Sequence, residues 1–132
     1  MNNIIINFYE GFQGEGEVQF IQIPIEGNKT IIRIWDGYFD DIMGKIQPEP
    51  EGWTSLAYYY NLAEGWYEES PWKIPNIVEA LQQVKQTINS DFRFQQTRRV
   101  VKEICNLLSK AIKYHNCVYC KRIIENEFNT KK

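Results

Sequence analysis

At KIQPEPEG, residues 45–52, the chain changes its hydrophobic period, and that change restricts the folds open to it more than any other feature. Two prolines and a glycine can neither continue a sheet nor start a helix. Before this break, residues 3–9 (NIIINFY), 17–25 (EVQFIQIPI) and 29–35 (KTIIRIW) are rich in Ile, Val and aromatics. They predict three antiparallel strands joined by turns at GFQGEGE and EGN. Asp36-Gly37 is a hairpin signal, which makes residues 38–43 the candidate fourth strand.

After the break the apolar residues recur at helical spacing. Thr54 as N-cap and Gly65 as stop delimit a short helix over 55–64. Asn76, with Glu79 three residues later, resembles a capping box for a helix over 76–89 whose apolar positions are Ile77, Leu81, Val84 and Ile88. A third helix is predicted from about 93 to 114, with Val101, Ile104, Leu108, Ala111 and Ile112 inward and Arg99, Lys102, Lys110 and Lys113 outward. Strands first and helices afterwards define an α+β chain: a three- or four-stranded antiparallel sheet followed by about three helices packed on one face. At 132 residues it reads as one domain, strand-rich over 1–46 and helical over 52–124.

The net charge of −2 conceals two opposed halves. Residues 1–70 carry 12 Asp/Glu against 3 Lys/Arg, and residues 71–132 carry 5 against 12, so the first half is at −9 and the second at +7. Asymmetry of this size bears on partners rather than on fold. No run approaches the roughly 18 apolar residues of a membrane helix, and MNNIIINFYEGF lacks a signal peptide's cationic start and cleavage site. With three cysteines, an odd number suited to a reducing compartment, the chain is expected in the cytoplasm and off the membrane.

Candidate chemistry is sparse. Cys105, His115, Cys117 and Cys120 could supply four soft metal ligands, but C-x9-H-x-C-x2-C is an unusual spacing with a single CxxC, so thiols without a metal are expected. Any catalytic triad must use His115, the one histidine, and no nucleophile turn accompanies it. Asp40 and Asp41, or Glu68 and Glu69, read as solvated acids rather than as a catalytic pair, and EGFQGEGE lacks the lysine of a phosphate loop. The sequence therefore predicts no enzyme and no cofactor. Arg93, Arg98, Arg99, Lys102, Lys110, Lys113, Lys121 and Arg122 raise a nucleic-acid reading, against which stand a pI near 5.5 and the expectation that no stacking platform of aromatics is interleaved with these cations.

The aromatics lie with the acids instead. GWTSLAYYYNLAEGWYEESPW, residues 52–72, holds seven aromatic side chains and three of the four tryptophans, with Glu64, Glu68 and Glu69 and no Lys or Arg. An acidic aromatic surface suits a cationic protein partner, since Trp and Tyr anchor interfaces and rim carboxylates steer a basic one. This stretch resembles the aromatic, acidic segments of small immunity proteins from bacterial toxin systems, including contact-dependent growth inhibition. The resemblance covers about a sixth of the chain, and the basic second half departs from it. It implies tight binding of a cognate toxin domain, often a nuclease. The expected contact set is Glu49, Glu51, Trp53, Tyr58, Glu64, Trp66, Tyr67, Glu68, Glu69 and Trp72. The alternative is a small nucleic-acid-binding accessory protein that uses the basic face of the third helix.

Overall fold

A computed structural model describes residues 3–48, 50, 52, 54–61 and 71–123. It is an α+β structure with a five-stranded mixed sheet and four helices. The strands are β1 (Ile4–Phe8), β2 (Glu17–Ile23), β3 (Thr30–Trp35), β4 (Trp72–Lys73) and β5 (Cys117–Ile123), in the spatial order β1-β3-β2-β5-β4. The helices are α1 (Asp36–Met43), α2 (Ser55–Tyr60), α3 (Ile77–Lys85) and α4 (Thr97–Tyr114).

The first three strands fall where the Ile-rich runs predict them, but their pairing differs. β1 is parallel to β3, and β3 lies between β1 and β2, so the sheet is mixed rather than antiparallel. The reason is that residues 9–16 form no hairpin. They cross the end of β3 through two successive tight turns, Phe12 N–H to Tyr9 O and Glu15 N–H to Phe12 O. Gly11 and Gly14 sit at φ 94° and 98°, a conformation glycine adopts without steric cost.

Residues 36–43 are a helix, not a fourth strand. Tyr38, Phe39, Ile42 and Met43 are buried at 3.6-residue spacing, and Asp36 sits in the first turn, where a carboxylate favours the helix dipole. The segment beyond 52 is not purely helical either. Trp72 and Lys73 pair with Cys120 and Tyr119, and all of β5 pairs with β2, which places a strand from the second half near the middle of the sheet. HNCVYC therefore continues from a helix end into a strand. His115 closes α4 in the left-handed conformation, φ 59°, with Asn116 N–H bonded to Ala111 O, a helix-ending pattern usually given to glycine or asparagine.

The core lies between the sheet and α4. Val18, Phe20, Ile32, Ile34, Val118 and Cys120 face Val100, Val101, Ile104, Leu107, Leu108 and Ala111 of α4, as the amphipathic pattern predicts. α1 packs on the same face, α3 packs on α4, and α2 on α3. Asn76 caps α3 by accepting from Glu79 N–H at 3.0 Å. The Glu79 carboxylate does not complete the expected capping box, because it accepts from the Thr54 hydroxyl at 2.7 Å. Buried Gln83 of α3 in turn accepts from Ala57 N–H and donates to Thr54 O, satisfying the start of α2 from a neighbouring helix.

α4 starts at Thr97, later than 93, because the backbone ahead of it is engaged elsewhere. Asp41 of α1, 5% exposed, accepts from Arg93 N–H, Phe94 N–H and the Thr97 hydroxyl at 3.1, 3.1 and 2.7 Å. It serves as a cap supplied across the fold, as Gln96 makes no side-chain cap bond. Asp41→Ala is expected to lower stability by about 2–4 kcal/mol, because two part-buried amides and a buried hydroxyl lose their acceptor. Urea unfolding measures this; a loss below about 1 kcal/mol would mean that water replaces the carboxylate at no cost.

Candidate functional site

Tryptophan and phenylalanine gather where the crossing loop, β3 and the start of α4 meet. The Trp35 indole stacks on Phe12 with ring centroids 4.1 Å apart and 7° between planes. Tyr38 and Phe94 meet its edges at 5.1 and 5.0 Å, nearly perpendicular, and Tyr38 and Phe94 also touch each other. Each such pair adds about 0.5–1.5 kcal/mol beyond its buried area. Glu15 accepts from Trp35 Nε1 at 2.8 Å, and the Tyr9 hydroxyl donates to Glu15 O. Gly37 lies beneath the indole so closely that a methyl group there would overlap the six-membered ring.

Beside this cluster runs a groove of about 390 Å³ lined by Trp35, Gly37, Asp40, Asp41, Gly44, Lys45, Arg93 and Phe94. Asp40 accepts from the Tyr60 hydroxyl at 2.9 Å, and Asp36, one turn earlier on α1, holds the Arg122 guanidinium at 2.7 Å. The carboxyl of Asp40 titrates above its usual range. Loss of water contact raises it most, the Tyr60 bond opposes that, nearby Asp36 raises it further, and Arg122 lowers it. The Tyr60 phenol is pushed up for matching reasons, burial first and the bond to Asp40 second. The Arg93 guanidinium lies 5.4 Å over the Phe94 ring. The groove thus combines two carboxylates, two cations and two aromatic rings in its lining.

The expected contact set is only partly visible here. Glu49, Glu51, Trp53, Glu64, Trp66, Tyr67, Glu68 and Glu69 lie outside the described residues. Tyr58 stands on α2, 47% exposed. Trp72 corrects the expectation of an exposed anchor: it is 6% exposed in β4, opposite Cys120, and belongs to the core. A two-residue strand is too short to announce itself by alternation. The sequence reading also missed Trp35, Phe12, Tyr38 and Phe94, which are separated in the chain by as many as 82 positions and meet only through the crossing loop and the Asp41 cap.

Cys117 and Cys120, three apart on a strand, point to opposite faces of the sheet, which separates the CxxC pair. Cys120 is fully buried and Cys105 half-buried, and burial pushes both thiols up, away from the thiolate that binds metal. Among the described residues no group of three or more His, Cys, Asp or Glu is placed to hold a metal. No described helix is long and apolar enough to cross a membrane. Comparison with protein-family models, with curated proteins and with solved structures finds no match to this chain.

Two measurements follow from this geometry. Gly37→Ala should displace the Trp35 indole and cost about 1–3 kcal/mol, because the ring is held by Phe12, Tyr38 and Phe94 and cannot swing away freely. Loss of the near-ultraviolet circular dichroism of the cluster reports it, and an unchanged spectrum would show that the indole yields. For Asp40, a folded-state pKa above 3.8 means that the folded chain holds the proton more tightly than the unfolded one. Its contribution to stability therefore falls as pH rises from 3.8 through the folded value. Asp40→Asn should keep the Tyr60 bond, remove this loss, and gain in melting temperature over the parent as pH climbs across that window; a difference independent of pH would contradict it.

Proposed function

We propose that the chain is a non-enzymatic immunity protein that binds and neutralises a cognate basic toxin domain through an acidic aromatic surface. The observation that carries this reading is the Tyr60–Asp40 hydrogen bond, which brings the beginning of the aromatic stretch 52–72 to the rim of the α1 groove. Two aromatic regions distant in sequence thereby adjoin; Asp40 lines the groove, Glu15 bonds the Trp35 indole and Asp36 stands one turn before Asp40 on α1. Cytoplasmic residence agrees with a partner met inside the cell that makes or receives it. Lys45 and Arg93 line the same groove, so recognition relies on a pattern of both signs rather than on uniform negative charge.

A second reading rests on α4, from which Arg99, Lys102, Lys110 and Lys113 project exposed. It is that of a nucleic-acid accessory protein. Against it, Arg98 is spent on the carbonyls of Ile88 and Ser90; aromatic rings do accompany these cations, contrary to the sequence expectation, with Arg98 over Phe92, Arg99 over Phe8 and Lys113 over exposed Tyr114.

The test uses the protein encoded by the neighbouring reading frame as the toxin candidate. Glu15→Lys with Asp40→Lys should slow association about tenfold at low salt and erase most of its salt dependence, with little change in dissociation of the residual complex. Neutralising Arg99, Lys102 and Lys113 should leave protection of toxin-producing cells intact. Loss of protection in the second variant and not the first, with both folded by melting, would exchange the two readings.

A further inference from the structure

The two edges of the sheet are built differently. β4 is two residues long and ends in Lys73, a short and charged edge of the kind that discourages strand addition. β1 is five residues, IIINF, with no charge and no proline, and among the described residues no strand lies on its outer side. Ile4 and Ile5 are 51% and 50% exposed. Ile4 N–H bonds to the carbonyl of Lys29, the residue before β3, so the alternate residues, Ile5 and Asn7, turn their backbone N–H and C=O toward the open side.

On the sheet face away from α4, Ile5, Ile31, Ile21 and Tyr119 stand in register across four strands. This apolar row runs to the β1 edge and stops there with Ile5 half exposed. Charge is arranged by ends: exposed Lys29 adjoins the start of β1 through its carbonyl, and exposed Glu10 follows its end. Parallel addition of an identical strand would set like charge beside like. Antiparallel addition sets each Lys29 near the other chain's Glu10.

We infer that β1 pairs antiparallel with β1 of a second copy of this chain, about a two-fold axis at Ile6, to form a continuous ten-stranded sheet. In that register Ile4 lies opposite Phe8 of the other copy, and Ile6 meets Ile6. Ile5 and Asn7 exchange both backbone bonds with Asn7 and Ile5. The two apolar rows meet across the axis as diagonal Ile5 neighbours. Because five residues of strand bury less than a standard interface, the dimer is concentration-dependent.

Sedimentation velocity on the full chain tests this. The weight-average mass should rise from one chain toward two between about 1 and 300 μM, as mass action requires of a weak dimer. Ile5→Lys, which charges an exposed edge position, and Ile5→Pro, which removes one outward N–H, should each raise the dissociation constant at least about tenfold and leave far-ultraviolet circular dichroism unchanged. If either variant unfolds, hydrogen exchange of the unmodified chain decides: the Ile5 and Asn7 amides should gain protection with concentration, while that of Ile4 stays constant. A chain monomeric throughout, variants that dimerise like the parent, or outward amides insensitive to concentration would each overturn the proposal. So would a monomer whose protective activity is lost on Ile5→Lys, because the edge would then receive a strand from the toxin.

Discussion

Asp41 holds the two halves of this chain together at one point. Its buried carboxylate collects three donors from the approach to α4, and that approach carries Phe94 into the Trp35 cluster and Arg93 to the groove wall. A carboxylate this deep would be costly if left alone, since an unpaired buried charge loses most of its hydration. Paired with two backbone amides and a hydroxyl it becomes a positional constraint: α1 cannot shift along α4 without breaking charge-assisted bonds. The aromatic cluster, the groove and the entry angle of the long helix all depend on that constraint.

The crossing loop applies the same logic from the other side. Phe12 lies flat on Trp35, Glu15 takes the indole N–H, and Asp36 N–H returns to Gly16 O, so residues 9–16 seal the end of β3. At the start of α1, Arg122 joins Asp36, which ties β5 to α1. Elements from the acidic and the basic parts of the chain therefore meet at α1, and the opposition of charge seen along the sequence becomes contact in space.

Much of the architecture was legible because it is written in local period. The Ile runs gave β1, β2 and β3, Asn76 and Glu79 marked the start of α3, and the amphipathic stripe from Val101 to Ala111 gave α4 and its basic face. What escaped was set by distant partners. Asp36-Gly37 has the local signature of a hairpin, yet the burial of Tyr38, Phe39 and Ile42 against the sheet makes it a helix start. CVYCKRI contains alternating apolar positions, but it falls in the half read as helical, and only the edge offered by β2 makes it a strand. The groove was illegible for the same reason. Trp35 was assigned to a strand end, Phe12 to a turn and Asp40 to a solvated pair, and no spacing rule links them.

The position of β5 bears on how the chain is made. Asn116, at the entrance to β5, bonds to Gln22 on β2, 94 residues earlier. At a synthesis rate of roughly 5–20 residues per second, β2 waits about 5–20 s for the strand that covers its second side. In that interval it is itself an open edge. Its sequence, EVQFIQI, intersperses Glu17, Gln19 and Gln22 among the apolar residues; Gln19 engages Glu17 along β2, and of the two only Arg33 engages it across the β2–β3 pair. The polar positions moderate the strand while it is unaccompanied, so part of this sequence answers to a nascent chain as well as to the finished fold.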